Sequence, residues 1–166
     1  MKPILAAVDF STTTAAVVEQ AAALAKALGS KLWIIHASSD ETRAILYDSV
    51  QFDSYSPEFS SMPGDAQLAR DLSAKEIKRE HAQLLGIASC LREKGVKAQA
   101  MLIKGDPAKL IIEKAEELEA DMIIIGSHGH GLLHKALLGS VSESIIRHAR
   151  CNVMVVPSAV VPSAEK

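Results

Sequence analysis

Four small residues late in the chain have the types and spacing needed to hold a phosphate group. They follow the pattern Gly126, two residues, Gly129, nine residues, Gly139-Ser140. Glycine lets the backbone approach an anion closely, and free backbone N–H groups at the start of a helix then face the negative charge. Without their context the same glycines could simply form turns, so the flanking residues decide between the two interpretations.

Those flanking residues predict a strand before the pattern and a helix after it. Residues 122–125 form a short apolar run bounded by glycine, which is typical of a strand buried on both faces. Ser140 is followed three residues later by Glu143, a capping-box pattern that predicts Ser140 as the N-cap of a helix. A capping hydroxyl can still donate its own proton to a phosphate oxygen. The order strand, glycines, helix therefore favours phosphate binding over ordinary turns.

Two common nucleotide motifs do not fit this stretch. Gly126 and Gly131 have the separation of the Walker A glycines, but Leu132 stands where that motif requires lysine. Gly129 and Gly131 could begin a dinucleotide fingerprint, but His134 stands where its third glycine belongs. The loop therefore belongs to neither of these two classes.

The glycine spacing resembles the nucleotide loop of the ATP-binding branch of the universal stress protein family. The opening of the chain, PILAAVDFS at residues 3–11, is similar to the first strand of that family with its acidic end. The resemblance covers nearly the whole chain, except roughly residues 39–67. It implies that Ser140 and the backbone of Val141 and Ser142 hold the β- and γ-phosphates of ATP.

The same resemblance places Asp9 and Ala37 beside the nucleoside. Asp9 matches a family acid that can act through a bound metal, so the expected ligand is ATP with Mg²⁺, and Asp9 is the expected metal contact. From the residues alone, Asp9 could instead be a carboxylate satisfied near the N-terminus of the first helix. Ala37 matches the position whose backbone pairs with the adenine edge.

The histidines of the glycine loop raise a second possibility, a metal site. His128, His130 and His134 lie close together, and imidazoles suit zinc or nickel. However, the loop contains no cysteine or acid, and the corresponding family loop is variable. We therefore interpret these histidines as solvated, and they could help to hold phosphate when protonated. Lys135 could pair with a phosphate as a point charge or face water.

Strand and helix patterns alternate along the chain. The predicted strands are residues 3–8, 31–37, 96–103, 122–125 and 152–156, and the predicted helices are 15–28, 68–94, one from Pro107 capped by Asp106, and 140–149. This alternation predicts a three-layer, doubly wound α/β fold with a parallel sheet and helices on both faces. We expect the strand order 3-2-1-4-5, which the family resemblance also implies (Rossmann-like, adenine nucleotide alpha hydrolase-like). Asp9 and Gly126 then meet where the winding direction reverses, the usual ligand position in such sheets.

Composition sets the remaining bounds. The 166 residues predict one domain over 1–157 and a tail at 158–166, and 48 % hydrophobic residues exclude general disorder. A net charge of −2 without a basic block gives no indication of nucleic acid binding. The chain shows no signal peptide and no apolar run of about 18 residues. Cys90 and Cys151 lie far apart and are expected to be free thiols of a cytoplasmic protein.

Residues 38–67 form an inserted segment with no clear period. Four of the six aromatic residues lie there, namely Tyr47, Phe52, Tyr55 and Phe59. They could cover the nucleoside pocket as a lid, pack on a neighbouring subunit, or form a local mini-core.

These features predict an ATP-binding, nucleotide-responsive regulator of the stress response that acts on a client protein. The sequence shows no activated nucleophile and no P-loop lysine, so at most slow ATP hydrolysis is expected. The alternatives are a slow ATPase or phosphate-transfer protein, and an interaction subunit with a vestigial loop. Residues 152–156 form an apolar edge strand without a protecting charge, which predicts a homodimer through that strand.

Overall fold

In a computed structural model, a five-stranded parallel sheet lies between two pairs of helices. The structure describes residues 2–38, 63–127 and 138–158, and for 63–73 it describes the backbone only. The elements in chain order are β1 Ile4–Ala7, α1 Thr14–Leu28, β2 Leu32–Ser38, α2 Pro63–Glu93, β3 Ala98–Lys104, α3 Pro107–Glu117, β4 Met122–Gly126, α4 Ser140–His148 and β5 Asn152–Val156.

The strand order is β3-β2-β1-β4-β5, and every pairing is parallel. This confirms the predicted fold class and strand order. The chain winds outward from β1 to β3 and then returns to the other side of β1 with β4. Because all the strands are parallel, their carboxyl ends lie on the same edge of the sheet. The winding direction reverses between β1 and β4.

Two hydrophobic cores cover the two faces of the sheet. Ile4 and Ala6 face the helices α1 and α2, whereas Leu5 between them faces α3 and α4. All three are buried almost completely. Both faces of β1 are thus apolar, which is the reason for its uninterrupted hydrophobic sequence.

The cap of α3 was predicted correctly. The carboxylate of Asp106 accepts a hydrogen bond of 3.0 Å from the amide of Lys109, and Pro107 occupies the first turn. Proline suits that position because its missing N–H would have no partner within the helix. Gly29 ends α1 in the left-handed conformation (φ 64°), as its position after the apolar run predicts.

Two helix starts differ from the prediction. The helix α2 begins at Pro63 and not at residue 68, so residues 63–67 belong to α2 and not to the inserted segment. Pro63 opens the helix, because proline is tolerated in the first turn, where its missing N–H would have no partner. At α4 the N-cap is Gly139 and not Ser140, and no side chain caps the helix. Glu143 does not complete a capping box, because its carboxylate pairs with Arg147 at 2.7 Å.

Candidate site at the carboxyl ends of β1 and β4

The turn after β1 and the glycines after β4 leave neighbouring strands at the same edge of the sheet. Ile4 lies opposite Met122 and Ala6 opposite Ile124, so the two strands run in register. Asp9 follows the end of β1 by two residues, and Gly126 is the last residue of β4. The fold therefore brings together two stretches that are more than a hundred residues apart in the sequence.

The Asp9 carboxylate is oriented by the turn that leads into α1. Its Oδ1 accepts a hydrogen bond of 2.9 Å from the amide of Ser11 and one of 3.3 Å from the hydroxyl of Thr14. Phe10, between them, has a φ of 58°, a left-handed conformation that L residues with side chains adopt only at some cost in energy. The turn is therefore held in a defined shape, with the half-buried Asp9 at its start.

Backbone and side-chain hydrogen bonds fix the two ends of the glycine loop. The amide of Gly139 donates to the carbonyl of Ser127 at 2.8 Å. The buried hydroxyl of Ser142 donates to the carbonyl of Gly126, also at 2.8 Å. Ser142 thus uses its side chain to tie the first turn of α4 to the end of β4. Its backbone, and not its hydroxyl, remains the candidate for ligand binding.

The first turn of α4 presents donors at this edge. The N–H groups of Ser140, Val141 and Ser142 have no acceptor within the helix, because the first residues of any helix lack one. Ser140 and Val141 are exposed. With Gly139 as N-cap, Ser140 is the first helical residue, so its hydroxyl is not engaged as the cap.

Neither described glycine of the loop needs to be glycine for its backbone shape. Gly139 has φ −62° and ψ 148°, values open to any residue, and Gly126 is not among the described glycines with positive φ. A functional reason for glycine at these positions is the absence of a side chain, which lets an anion approach the backbone closely.

An open groove lies beside the first turn of α4. Its walls run along α3 and α4, from Asp106, Ser140 and Val141 at the N-terminal ends to Ile112 and His148 further along the helices. The groove therefore passes Ser140 and continues between the two helices.

Ala37 lies near the end of β2, opposite Ile103 of β3. The neighbouring His36 is buried, with its ring centroid 4.5 Å from that of Phe10. Sequence reasoning gave His36 no role, since a single histidine within an apolar strand carries no recognisable pattern.

A second group missed by sequence reasoning joins three segments of the chain. The hydroxyl of Ser158 lies 3.0 Å from that of Thr13, and the amide of Ser158 donates to the hydroxyl of Ser127 at 3.0 Å. These residues are 145 and 31 positions apart, so no local spacing could have identified them.

The remaining candidates lie outside the described residues. They are Gly129, the histidines His128, His130 and His134, and Lys135, together with the four aromatic residues of the inserted segment. Their predicted roles stay predictions.

The chemistry of Asp9 fits magnesium better than zinc. Mg²⁺ is commonly held by one or two carboxylates together with the phosphates of a nucleotide, whereas zinc sites need several nitrogen or sulfur ligands. Within the described ranges, no group of three histidine, cysteine or acidic side chains is arranged to hold a metal.

Burial raises the pKa of the Cys151 thiol. Cys151 precedes β5 at the opposite end of the sheet and takes no part in this site.

Comparison with known proteins identifies the family of this chain. A model of the universal stress protein family matches residues 1–157. The chain belongs to the universal stress protein family. The Bacillus subtilis universal stress protein YxiE is 30% identical over 92% of this chain and 97% of its own. The Methanocaldococcus jannaschii universal stress protein MJ0531 is 40% identical over 83 residues, about half of each chain.

Solved structures agree with this assignment. The protein MJ0577 is 25% identical over 95% of this chain and 96% of its own, with a TM-score of 0.74. The universal stress protein from Archaeoglobus fulgidus in complex with dAMP is 22% identical over 93% of this chain and 97% of its own, with a TM-score of 0.56. The second likeness shows the fold alone. Among the described helices, none has the length and apolar character needed to cross a membrane.

Proposed function

We propose that this universal stress protein binds ATP with Mg²⁺ at the carboxyl ends of β1 and β4 and acts as a nucleotide-responsive regulator. One observation carries the proposal. The N-terminus of α4 lacks a side-chain cap, and it follows β4, the strand that pairs with β1 just before Asp9. The predicted site consists of Asp9, Ala37, Gly126, Gly129, Gly139, Ser140, Val141 and Ser142.

Each part of the site has a separate role in this proposal. The N–H groups of Ser140, Val141 and Ser142 and the dipole of α4 attract the β- and γ-phosphates. The exposed hydroxyl of Ser140 donates to a phosphate oxygen. Mg²⁺ bound at Asp9 neutralises part of the phosphate charge, which removes the repulsion between that carboxylate and the anion. The backbone of Ala37 pairs with the adenine edge.

Two lines of support favour an adenine nucleotide. The glycine spacing resembles that of the ATP-binding branch of the family, and a structural neighbour from Archaeoglobus fulgidus was solved in complex with dAMP. The groove between α3 and α4 begins beside Ser140, next to the proposed position of the phosphates.

The direct test is to identify and measure the bound nucleotide. The purified protein is denatured, the released small molecules are separated by chromatography, and the stripped protein is titrated with ATP and Mg²⁺ in a calorimeter. We expect ATP to be released and to rebind. If ATP neither co-purifies nor binds, the protein is an interaction subunit with a vestigial loop.

A turnover measurement separates a regulator from an enzyme. Ordinary enzymes turn over about 10 times per second. We expect steady-state phosphate release to be far slower, because the loop carries leucine where a P-loop has its catalytic lysine. Phosphate release near the ordinary rate would make the protein an ATPase.

A further inference from the structure

His36 makes a buried hydrogen bond to the backbone of another strand segment. The residue is only 7% exposed, and its Nδ1 lies 2.8 Å from the carbonyl oxygen of Val8 on the neighbouring chain segment. A carbonyl oxygen only accepts, so the Nδ1–H of His36 is the donor. A side chain of β2 thus occupies a backbone acceptor immediately beyond β1.

The position of this bond matters because it lies at the end of the β1–β2 ladder. On β2 the odd-numbered residues face β1: the carbonyl of Lys31 accepts from Ile4, and that of Ile35 accepts from Val8. The next ladder bond of a parallel pair would run from the amide of Ala37 to the carbonyl of Val8. The paired residues of β1 and β2 end with Ala7 opposite Ile35, before this bond would form. The carbonyl of Val8 instead accepts a hydrogen bond from the ring of His36.

The backbone of Ala37 is therefore directed past the end of β1. Its N–H and C=O point to the same side of β2 as those of Ile35, toward the crevice in which Asp9 and the first turn of α4 lie. An N–H donor beside a C=O acceptor complements adenine, which presents an amino donor next to a ring acceptor. Guanine presents its O6 acceptor in place of that amino group.

We propose that His36 is a positioning residue for nucleobase recognition: by binding the Val8 carbonyl through Nδ1, it ends the β1–β2 ladder and keeps the Ala37 backbone available to the base. This inference rests on the proposed ATP-binding function. His36 itself does not touch the nucleotide. It acts through Val8 and Ala37.

Two further side chains lie beside the ring. The ring of Phe10 packs against it at a tilt of 47°, and Phe10 follows Asp9 directly. On the other side, Oε1 of Glu80 on α2 lies 3.5 Å from Nε2. Neither Nε2 nor the other Glu80 oxygen has a hydrogen-bond partner within the described residues, so the bond through Nδ1 is the one that sets the ring.

The first test follows the amide of Ala37 by hydrogen exchange in the nucleotide-free protein. In His36→Leu we expect the Ala37 amide to close on the Val8 carbonyl and to exchange more slowly than in the wild type, while the amide of Ile35 stays protected in both. Unchanged exchange of Ala37 in a folded His36→Leu protein would overturn the inference. This readout needs no ATP, so its failure is distinct from a failure of ATP binding.

The second test measures base selectivity by titrating the protein with ATP and with GTP. We expect His36→Leu to weaken ATP binding by about fivefold, the equivalent of one ordinary hydrogen bond, and to lower the ratio of ATP to GTP affinity. Glu76→Gln should leave the ratio unchanged, since Glu76 lies on the exposed side of α2 and pairs with Arg79 instead of contacting the ring. An unchanged ratio in His36→Leu contradicts the proposal.

A matched pair of variants covers the case in which His36→Leu does not fold. The amide nitrogen of asparagine can take the position of Nδ1, whereas that of glutamine lies nearer to the position of Nε2. We therefore expect His36→Asn to keep the wild-type ratio of ATP to GTP affinity and His36→Gln to lose it. Equal ratios in the two variants contradict the role of Nδ1.

Discussion

The hydroxyl of Ser158 lies 3.0 Å from the hydroxyl of Thr13, although 145 residues separate them along the chain. Thr13 is the N-cap of α1 and follows the Asp9 turn. The amide of Ser158 donates to Ser127, whose carbonyl in turn accepts from Gly139. The residues just beyond β5 therefore connect the turn after β1 to both ends of the glycine loop.

This connection predicts that Ser158→Ala weakens ATP binding without unfolding the protein. The variant loses the hydroxyl contacts with Thr13 and Ser127 and keeps the bond from its backbone amide to Ser127. We therefore expect a loss of about 1 kcal/mol, or roughly fivefold in affinity, by calorimetry. Ser30→Ala is the control. Ser30 is buried, its hydroxyl has no hydrogen-bond partner within the described residues, and it precedes β2 at the opposite end of the sheet. Equal ATP affinity in the two variants would show that Ser158 has no influence on the site.

The arrangement of the strands could be predicted from the sequence because the signals are local and repeated. Five apolar runs of strand length alternate with helical patterns, and right-handed crossovers leave few ways to order them. The buried pattern of β1, in which Ile4 and Leu5 face opposite cores, follows directly from a continuous hydrophobic run. The end of β1 and the end of β4 then had to lie side by side.

The first residue of α4, in contrast, could not be predicted from the sequence. Ser140 with Glu143 has the pattern of a capping box, but the bond from Gly139 to Ser127 sets where the helix begins. That bond depends on where β4 ends in space, which a local pattern does not contain. The contacts of Thr13 with Ser158 and of His36 with Val8 escaped prediction for the same reason.

We predict that the protein is a homodimer through β5. This strand is an edge of the sheet, and Asn152 and Val156 direct their backbone groups toward β4. Because facing alternates along a strand, Val153 and Val155 direct their N–H and C=O groups to the open edge, where a second copy can pair antiparallel.

A proline scan tests this pairing. Val153→Pro removes an N–H that faces the open edge, so we expect a folded monomer by light scattering at micromolar concentration. Met154→Pro is the contrasting variant, since it removes a bond to β4 and should destabilise the sheet itself. The prediction is wrong if the wild-type protein is a monomer under the same conditions, or if Val153→Pro remains dimeric.

The inserted segment between β2 and α2, which holds four aromatic residues, gives a further prediction. It leaves β2 directly after Ala37 and Ser38, at the same sheet edge as Asp9, so we expect it to become more ordered when ATP binds. Hydrogen exchange with and without ATP should show slower exchange for residues 40–63. If those amides exchange identically in both states while those of residues 126–142 slow down, the segment is not a lid, and a local mini-core or a subunit contact remains.

The most direct test of ATP binding by the glycine loop is a pair of glycine-to-valine variants. The backbone at Gly139 is open to valine, and we expect Gly139→Val to block the approach of phosphate to the start of α4. Gly86→Val is the control, because Gly86 is exposed on α2 and an added Cβ meets nothing within 4 Å. Calorimetry with ATP and Mg²⁺ should show at least a tenfold loss of affinity, about 1.4 kcal/mol, for Gly139→Val and wild-type affinity for Gly86→Val. Equal affinity of the wild-type protein and Gly139→Val would contradict phosphate binding at this helix.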